Sequence, residues 1–285
     1  MSSCPNTAFG DDARLGRSGH VYAAARNEGR AALVGYLPVG FPDVPGSVEA
    51  MRALTEGTEG LGVDIVEIGM PYSDPVMDGL AIQHATTRAL ERGVRTRDLF
   101  TAVEAVAATG KQAMVMIYWN LVETYGVDAF ARDLAAAGGA GLITPDLTPD
   151  EAGHWMAASE AHDLDRVFLI APSSTDERVA STMAACRGWV YATSVMGVTG
   201  ARTSTSSAAP ALVARARAAA PELPVGVGLG VSNGAQAAEV GGVADGVIVG
   251  SALVHCLLRN EENGTRDLAE LRTLVDDLAR GVRSL

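Results

Sequence analysis

Three carboxylates, Glu67, Asp74 and Asp78, lie in the segment VEIGMPYSDPVMDG at residues 66–79. Glu67 falls in an apolar run that is typical of a buried strand, and the two aspartates follow in the adjoining loop. A glutamate inside a strand is most often one half of an ion pair. Without a cation, however, its pKa is raised by an apolar environment, which suits proton transfer near neutral pH.

Whether Glu67 forms an ion pair or acts as an acid–base group depends on the Lys and Arg residues near it. Eight apolar runs recur along the chain. Neither Lys nor Arg occurs in, for example, 63–69, 112–118, 140–145, 224–230 and 245–251. This scarcity favours Glu67 as an unpaired acid–base group. Asp78 is expected to point back towards the end of the strand that carries Glu67. Asp74, between a serine and a proline, has the pattern of an Asx turn and is interpreted as structural or surface-exposed.

Glycine-rich segments follow the last two runs, GVGLGVS at 226–232 and VIVGSALV at 247–254. Glycines at Gly230 and Gly250 allow backbone N–H groups to approach a ligand, and Ser251 opens a helix whose dipole favours an anion. The alternative is that these glycines only make tight turns. Their place in the last two of eight units favours a phosphate site.

The segment MGVTGARTSTSSAAP, at 196–210, is rich in small residues. Such composition is the default for a flexible connector. At the mouth of a barrel it is also what a closing lid requires.

The five histidines do not suggest a metal site. None ends a predicted strand, and the chain has no HxH or HExxH pattern. A Walker sequence is also missing. Of the kinds of chemistry considered, carboxylate acid–base chemistry on a phosphorylated substrate remains.

The elements that must position these residues are eight strand–helix units. The strand-like runs are 31–39, 63–69, 112–118, 140–145, 166–171, 188–194, 224–230 and 245–251. Their nearly continuous apolar character indicates parallel strands that are covered on both faces. Eight units without a linker predict an α/β fold, a single-domain (β/α)8 TIM barrel, rather than a doubly wound open sheet. The segment at 148–162 predicts a helix with Thr148 as N-cap and Pro149 at its first position.

We expect residues 1–17 to form a flexible N-terminal tail and 18–285 to form the barrel. The first twenty residues contain no apolar stretch typical of a signal peptide. A net charge of −12 argues against binding to nucleic acid or anionic membranes. Three cysteines without a CxxC pair favour a reducing, cytoplasmic location.

The chain resembles the alpha subunit of tryptophan synthase from about Ala31 to the C-terminal helix. The segments that carry the resemblance are VEIGMPYSDPVMDG with the following IQ, MIYWNLV, GVDAF, YATSVMGVTGAR, GVGLGVS and VGSALV. The resemblance implies retro-aldol cleavage of indole-3-glycerol phosphate to indole and glyceraldehyde 3-phosphate, without a cofactor in this chain. It also implies a beta-subunit partner that carries pyridoxal phosphate and receives the indole, in an alpha-beta-beta-alpha complex.

The resemblance also implies roles for individual residues. Glu67 would shuttle protons, and Asp78 would hold the indole N–H and stabilise positive charge on the ring. Tyr36, Tyr118 and Tyr191 would line the substrate site. The groups implied to hold the phosphate are the backbone amides around Gly200, Gly230, Gly250 and Ser251. Thr199 would close against Asp78, and the loop that bears Asp74 would face the partner.

Three positions depart from the family pattern. Val195 replaces a frequent arginine, Leu80 a frequent proline, and Pro145 a small residue. They bear on loop dynamics and coupling to the partner. The alternatives are a different phosphate-binding barrel enzyme, a non-catalytic activating subunit, and a stand-alone lyase of secondary metabolism that performs the same reaction.

Overall fold

The strands of the computed structural model, which describes residues 12–193 and 208–284, are all parallel and form one sheet. Their bounds are β1 Ala32–Pro38, β2 Ile65–Gly69, β3 Gln112–Met116, β4 Gly141–Ile143, β5 Asp165–Val167, β6 Leu169–Ile170, β7 Val190–Thr193, β8 Val225–Gly228 and β9 Gly246–Val249. The sheet order is β5-β4-β3-β2-β1-β9-β8-β7-β6. Since only Phe168 separates β5 from β6, these two are pieces of one interrupted strand. The sheet therefore curls into an eight-unit barrel, and the predicted (β/α)8 TIM barrel is confirmed.

Helices surround this barrel in the part of the chain that the structure describes. Their bounds are α1 Asp12–Asn27, α2 Val44–Glu56, α3 Leu80–Glu91, α4 Thr96–Ala107, α5 Trp119–Tyr125, α6 Val127–Ala136, α7 Gly153–Ala161, α8 Asp176–Ala185, α9 Ala208–Ala219, α10 Gly234–Gly241, α11 Ser251–Glu262 and α12 Ala269–Arg283. Each of the eight predicted runs contains observed strand. The predicted helix start at Thr148 is wrong: residues 149–151 form a turn, Thr148 Oγ1 bonds Glu151 Oε2 at 3.1 Å, and α7 begins five residues later.

Two apolar layers stabilise the barrel. The larger lies between the strands and the surrounding helices. The smaller fills the barrel itself, and its members include Ala32, Val34, Ile65 and Met114 from three neighbouring strands. Because successive strand residues alternate between the two faces, Tyr36 and Glu67, two residues beyond Val34 and Ile65, also face the interior.

Helix α1 covers the end of the barrel at which the strands begin. The helix kinks at Gly16, whose φ is +52°. Just beyond the kink, Asp165 at the start of β5 accepts hydrogen bonds from Ser18 N and Ser18 Oγ, both at 2.6 Å, and from Arg17 N at 3.3 Å. The boundary expected at residue 17 therefore falls inside a helix that is fixed to the barrel; residues 1–11 lie outside the described ranges.

Among the helices that the structure describes, none combines the length and the apolar character that a membrane crossing would need.

Candidate active site

Glu67 lies inside the barrel and is almost completely shielded from solvent. It pairs in register with Tyr36 of β1 on one side and Met114 of β3 on the other. Its exposed fraction is 1%, and its Oε2 atom has no hydrogen-bond partner among the described residues. Burial first, and then the charge of Asp78, raise the pKa of Glu67 to about 8. A carboxyl with this pKa is mostly protonated at neutral pH and can act as an acid.

Asp64, three residues earlier on the same segment, shows what a paired carboxylate looks like in this barrel. It accepts hydrogen bonds from Arg30 Nη1 at 2.7 Å and Arg30 Nη2 at 2.9 Å, and from Leu33 N at 2.8 Å. Glu67 makes no ion pair within residues 12–193 and 208–284. The contrast supports the interpretation of Glu67 as an acid–base group rather than one half of an ion pair.

Asp78 is held over the mouth of the barrel by Tyr118, which follows β3. The Tyr118 hydroxyl donates to Asp78 Oδ1 at 3.2 Å and accepts from Met77 N at 3.2 Å. Its ring stacks on Tyr72, with centroids 4.8 Å apart. Burial raises the pKa of Asp78, and the hydrogen bond from Tyr118 opposes that effect. The loop thus places a second carboxylate close enough to Glu67 to perturb its pKa.

Two tyrosines reach the neighbourhood of Glu67 because glycines leave room for them. A Cβ added to Gly69 would lie 2.2 Å from Tyr36 Oη, and one added to Gly228 would lie 2.6 Å from Tyr191 Oη. Burial and then the charges of Asp78 and Glu67 raise the pKa of Tyr36. Burial and then Glu67 raise the pKa of Tyr191. Both phenols therefore stay neutral hydrogen-bond donors beside the carboxylates.

Asp74 does not belong to this group. It is exposed, and its Oδ2 accepts a hydrogen bond from Ser73 Oγ at 2.5 Å. The neighbouring Val76 and Leu80 side chains are 70% and 79% exposed. The loop after β2 therefore turns Asp78 towards the barrel and Asp74 towards solvent.

The expected phosphate ligands lie on adjacent strand ends. Gly230 follows β8 with a φ of +68°, and Gly250 follows β9 as the N-cap of α11, whose first residue is Ser251. Gly228 and Ile248 pair in register, so these loops are neighbours. Gly250 has no side-chain cap, which leaves N–H groups of the first turn of α11 for an anion. Thr199, Gly200 and Val195 lie outside the described residues.

Two structural residues were missed from the sequence. Asp146, after β4, accepts from Trp119 N through Oδ1 at 2.9 Å and Oδ2 at 3.1 Å, and so fixes the start of the helix that follows Tyr118. The position of Asp146 just after a predicted strand was the sequence signal that could have indicated its role. Tyr22 of α1 is buried inside the barrel; it precedes every predicted strand, so the strand pattern gave no sign of it.

No group of three or more His, Cys, Asp or Glu side chains that could hold a metal occurs in the described parts of the chain. The site therefore presents two carboxylates with raised pKa, three tyrosines, and backbone N–H groups at adjacent strand ends. This arrangement can protonate and deprotonate an apolar substrate that carries an anionic group.

Comparisons with known proteins agree with this geometry. The sequence profile of the family described as "Tryptophan synthase alpha chain" matches residues 22–283. The tryptophan synthase alpha chain of Mycobacterium avium (strain 104) is 61% identical over 267 residues, which cover 94% of each chain. That of Mycobacterium tuberculosis (strain ATCC 25177 / H37Ra) is 59% identical over 273 residues, 96% of this chain and 97% of the relative.

Solved structures show the same likeness. A chain of tryptophan synthase from Mycobacterium tuberculosis, crystallised in space group F222, superposes with a TM-score of 0.87 at 59% identity. The match covers 94% of this chain and 99% of that one. A chain from Aquifex aeolicus VF5 superposes with a TM-score of 0.83 at 34% identity and covers 95% and 100%.

Proposed function

Because the chain belongs to the tryptophan synthase alpha chain family, a family of tryptophan biosynthesis, we propose that it cleaves indole-3-glycerol phosphate to indole and glyceraldehyde 3-phosphate. The observation that carries the proposal is Glu67: a buried carboxyl without an ion pair among the described residues, whose pKa is raised to about 8. The reaction is a retro-aldol cleavage, so it needs proton transfer and no redox cofactor.

In the first step the protonated carboxyl of Glu67 gives its proton to C3 of the indole ring. The ring then carries a positive charge centred on its nitrogen. Asp78 accepts a hydrogen bond from the indole N–H and stabilises that charge. Tyr118 keeps the Asp78 carboxylate aimed at the site through its 3.2 Å hydrogen bond.

In the second step the Glu67 carboxylate takes the proton of the side-chain hydroxyl next to C3. The bond between C3 and the hydroxyl-bearing carbon breaks, and its electron pair returns to the indole ring and neutralises it. The carbon that held the hydroxyl becomes the aldehyde of glyceraldehyde 3-phosphate. Glu67 ends protonated, as it began, so one carboxyl serves both steps.

Substrate binding is assigned to the residues around these two carboxylates. The rings of Tyr36, Tyr118 and Tyr191 line the space beside Glu67, and Gly230, Gly250 and Ser251 offer N–H groups to the phosphate. Thr199 and Gly200 are proposed to complete the site from the loop after β7. We assign no cofactor to this chain. A cytoplasmic complex with a beta subunit that carries pyridoxal phosphate is part of the proposal, with the Asp74 loop facing the partner.

The test is an assay of the purified chain with indole-3-glycerol phosphate, with and without a beta subunit. Glu67→Gln should abolish indole release while it preserves the fold, and Glu104→Gln, on the exposed face of α4, should retain full activity. Substantial turnover by Glu67→Gln would refute the role of Glu67. A high rate that the beta subunit does not change would favour the stand-alone lyase.

A further inference from the structure

Three polar atoms inside the barrel have no hydrogen-bond partner among the residues that the structure describes: Trp189 Nε1, and the pair Tyr22 Oη and Glu67 Oε2. Tyr22 is 0% exposed and Glu67 is 1% exposed. A buried hydroxyl or carboxyl oxygen without a partner is destabilising, and native proteins commonly satisfy such groups with buried water. The pair therefore points to a polar site beneath the substrate.

Tyr22 enters the barrel from α1, at the end opposite the substrate mouth. Its ring lies over two inward glycines that pair with each other: a Cβ on Gly246 would lie 2.4 Å from Tyr22 Cε1, and one on Gly226 would lie 2.6 Å from Tyr22 Oη. The ring also packs on Trp189, with centroids 5.4 Å apart. The hydroxyl is therefore fixed at the strand position of Gly226.

Gly228, the next residue of β8 that faces the barrel interior, lies beside Tyr191 of the candidate site. Gly226 pairs with Tyr191 on β7, and Tyr191 Oη lies over Gly228, two residues further along β8. Two residues of a strand span about 6.6 Å. The hydroxyls of Tyr22 and Tyr191 therefore stand at successive levels of the barrel, a spacing that one or two water molecules can bridge.

Glu67 is the carboxylate whose charge acts most strongly on both hydroxyls, ahead of Asp245 and Asp64 at Tyr22. It lies two residues beyond Ile65 and pairs with Met114, and these two residues belong with Tyr22 to the apolar cluster that fills the barrel. Among the charges that raise the pKa of Tyr22, after burial itself, Glu67 ranks first. The phenol thus stays protonated and can donate a hydrogen bond towards the carboxylate.

We propose that Tyr22 is a positioning residue for the catalytic carboxyl: it donates to water that is held between its hydroxyl and Glu67 Oε2, and so fixes and tunes Glu67 from below. This proposal rests on the proposed function only in calling Glu67 catalytic. Tyr22 touches no substrate. Its hydrogen bond favours the ionised carboxylate, so it lowers the pKa of Glu67 relative to a barrel without it.

The test variant is Tyr22→Phe, which keeps the ring over the glycines and on Trp189 and deletes only the hydroxyl. The pKa of Glu67 is measured directly from the infrared band of its carboxyl, which is assigned by its loss in Glu67→Gln. We expect Tyr22→Phe to raise this pKa by about 0.5–1 unit. The matched control is Tyr125→Phe, which removes a surface hydroxyl bonded to Asp133 and should leave the Glu67 band unchanged.

The infrared titration needs no turnover, so its failure and the failure of the proposed function are distinguishable. An unchanged Glu67 titration in Tyr22→Phe would overturn the proposal even if the wild-type chain cleaves the substrate. In an active chain the alkaline limb of the pH–rate profile should move up by the same amount, with KM within about twofold of wild type. If Tyr22→Phe lowers the melting temperature but leaves the alkaline limb unmoved, Tyr22 has a packing role only. That result would also overturn the proposal.

Discussion

The ring of Tyr36 occupies the space that a side chain on Gly69 would fill. A Cβ on Gly69 would lie 2.2 Å from Tyr36 Oη, 2.4 Å from Cε2 and 2.5 Å from Cζ. Since Tyr36 is paired with Glu67, and Gly69 is the next inward residue after Glu67, this contact sets where the tyrosine hydroxyl stands relative to the carboxylate.

Gly69→Ala should therefore damage the site more than the fold. The added methyl group must push the Tyr36 ring aside, and such overpacking costs about 1–3 kcal/mol of stability. We expect kcat/KM for indole release to fall at least about tenfold. Gly153→Ala is the matched control, because a Cβ there meets nothing within 4 Å; it should retain activity. Wild-type activity in Gly69→Ala would show that the Tyr36 ring can move without consequence.

The rate of indole release should fall as the pH rises through about 8. The raised pKa of Glu67 means that its acid form, which starts the reaction, is present below pH 8 and is lost above it. Initial rates under kcat/KM conditions between pH 6 and 10 measure this limb. A rate that instead increases through pH 8 would show that the ionised carboxylate is the starting form, and would reverse the order of the two steps.

The barrel could be predicted because its signals are local and repeat. Each of the eight apolar runs contains observed strand, and burial on both faces explains why they lack a polar alternation. The start of α7 could not be predicted in the same way. Thr148 and Pro149 have the residue types of a helix start, but they form a separate turn and the helix begins at Gly153.

In the candidate site, too, features with a local sequence signal could be predicted and the others could not. Glu67 and Asp78 were predicted as site residues from residue type and position, and Glu67 also from the scarcity of nearby cations. In the structure the charge of Asp78 reaches Glu67. What the sequence does not show is contact between distant residues: Tyr118 with Asp78, or Tyr22 inside the barrel. Such contacts depend on the closure of the sheet and on the path of α1, which no local pattern encodes.

Asp165→Asn should loosen α1 from the barrel. The Asp165 carboxylate accepts three hydrogen bonds from Arg17 and Ser18, and an amide cannot accept them all with the same geometry. We expect a loss of about 1–3 kcal/mol in the free energy of unfolding and faster proteolysis within α1. The control is Asp128→Asn, because that side chain is exposed in the first turn of α6. Equal stability of the two variants would contradict the anchoring role.

Tyr118→Phe should impair catalysis through Asp78. The hydrogen bond from Tyr118 counteracts the rise in the pKa of Asp78 that burial causes. Without it that pKa rises further, and Asp78 must be ionised to stabilise the charged ring. The acidic limb of the pH–rate profile should therefore move to higher pH, and kcat/KM at neutral pH should fall about tenfold, since the hydrogen bond from Met77 N to the Tyr118 hydroxyl is lost as well. The alkaline limb should move much less, because Tyr118 makes no hydrogen bond to Glu67. Tyr125→Phe again serves as control, with both limbs unmoved. A shift confined to the alkaline limb would show that Tyr118 acts on Glu67 instead.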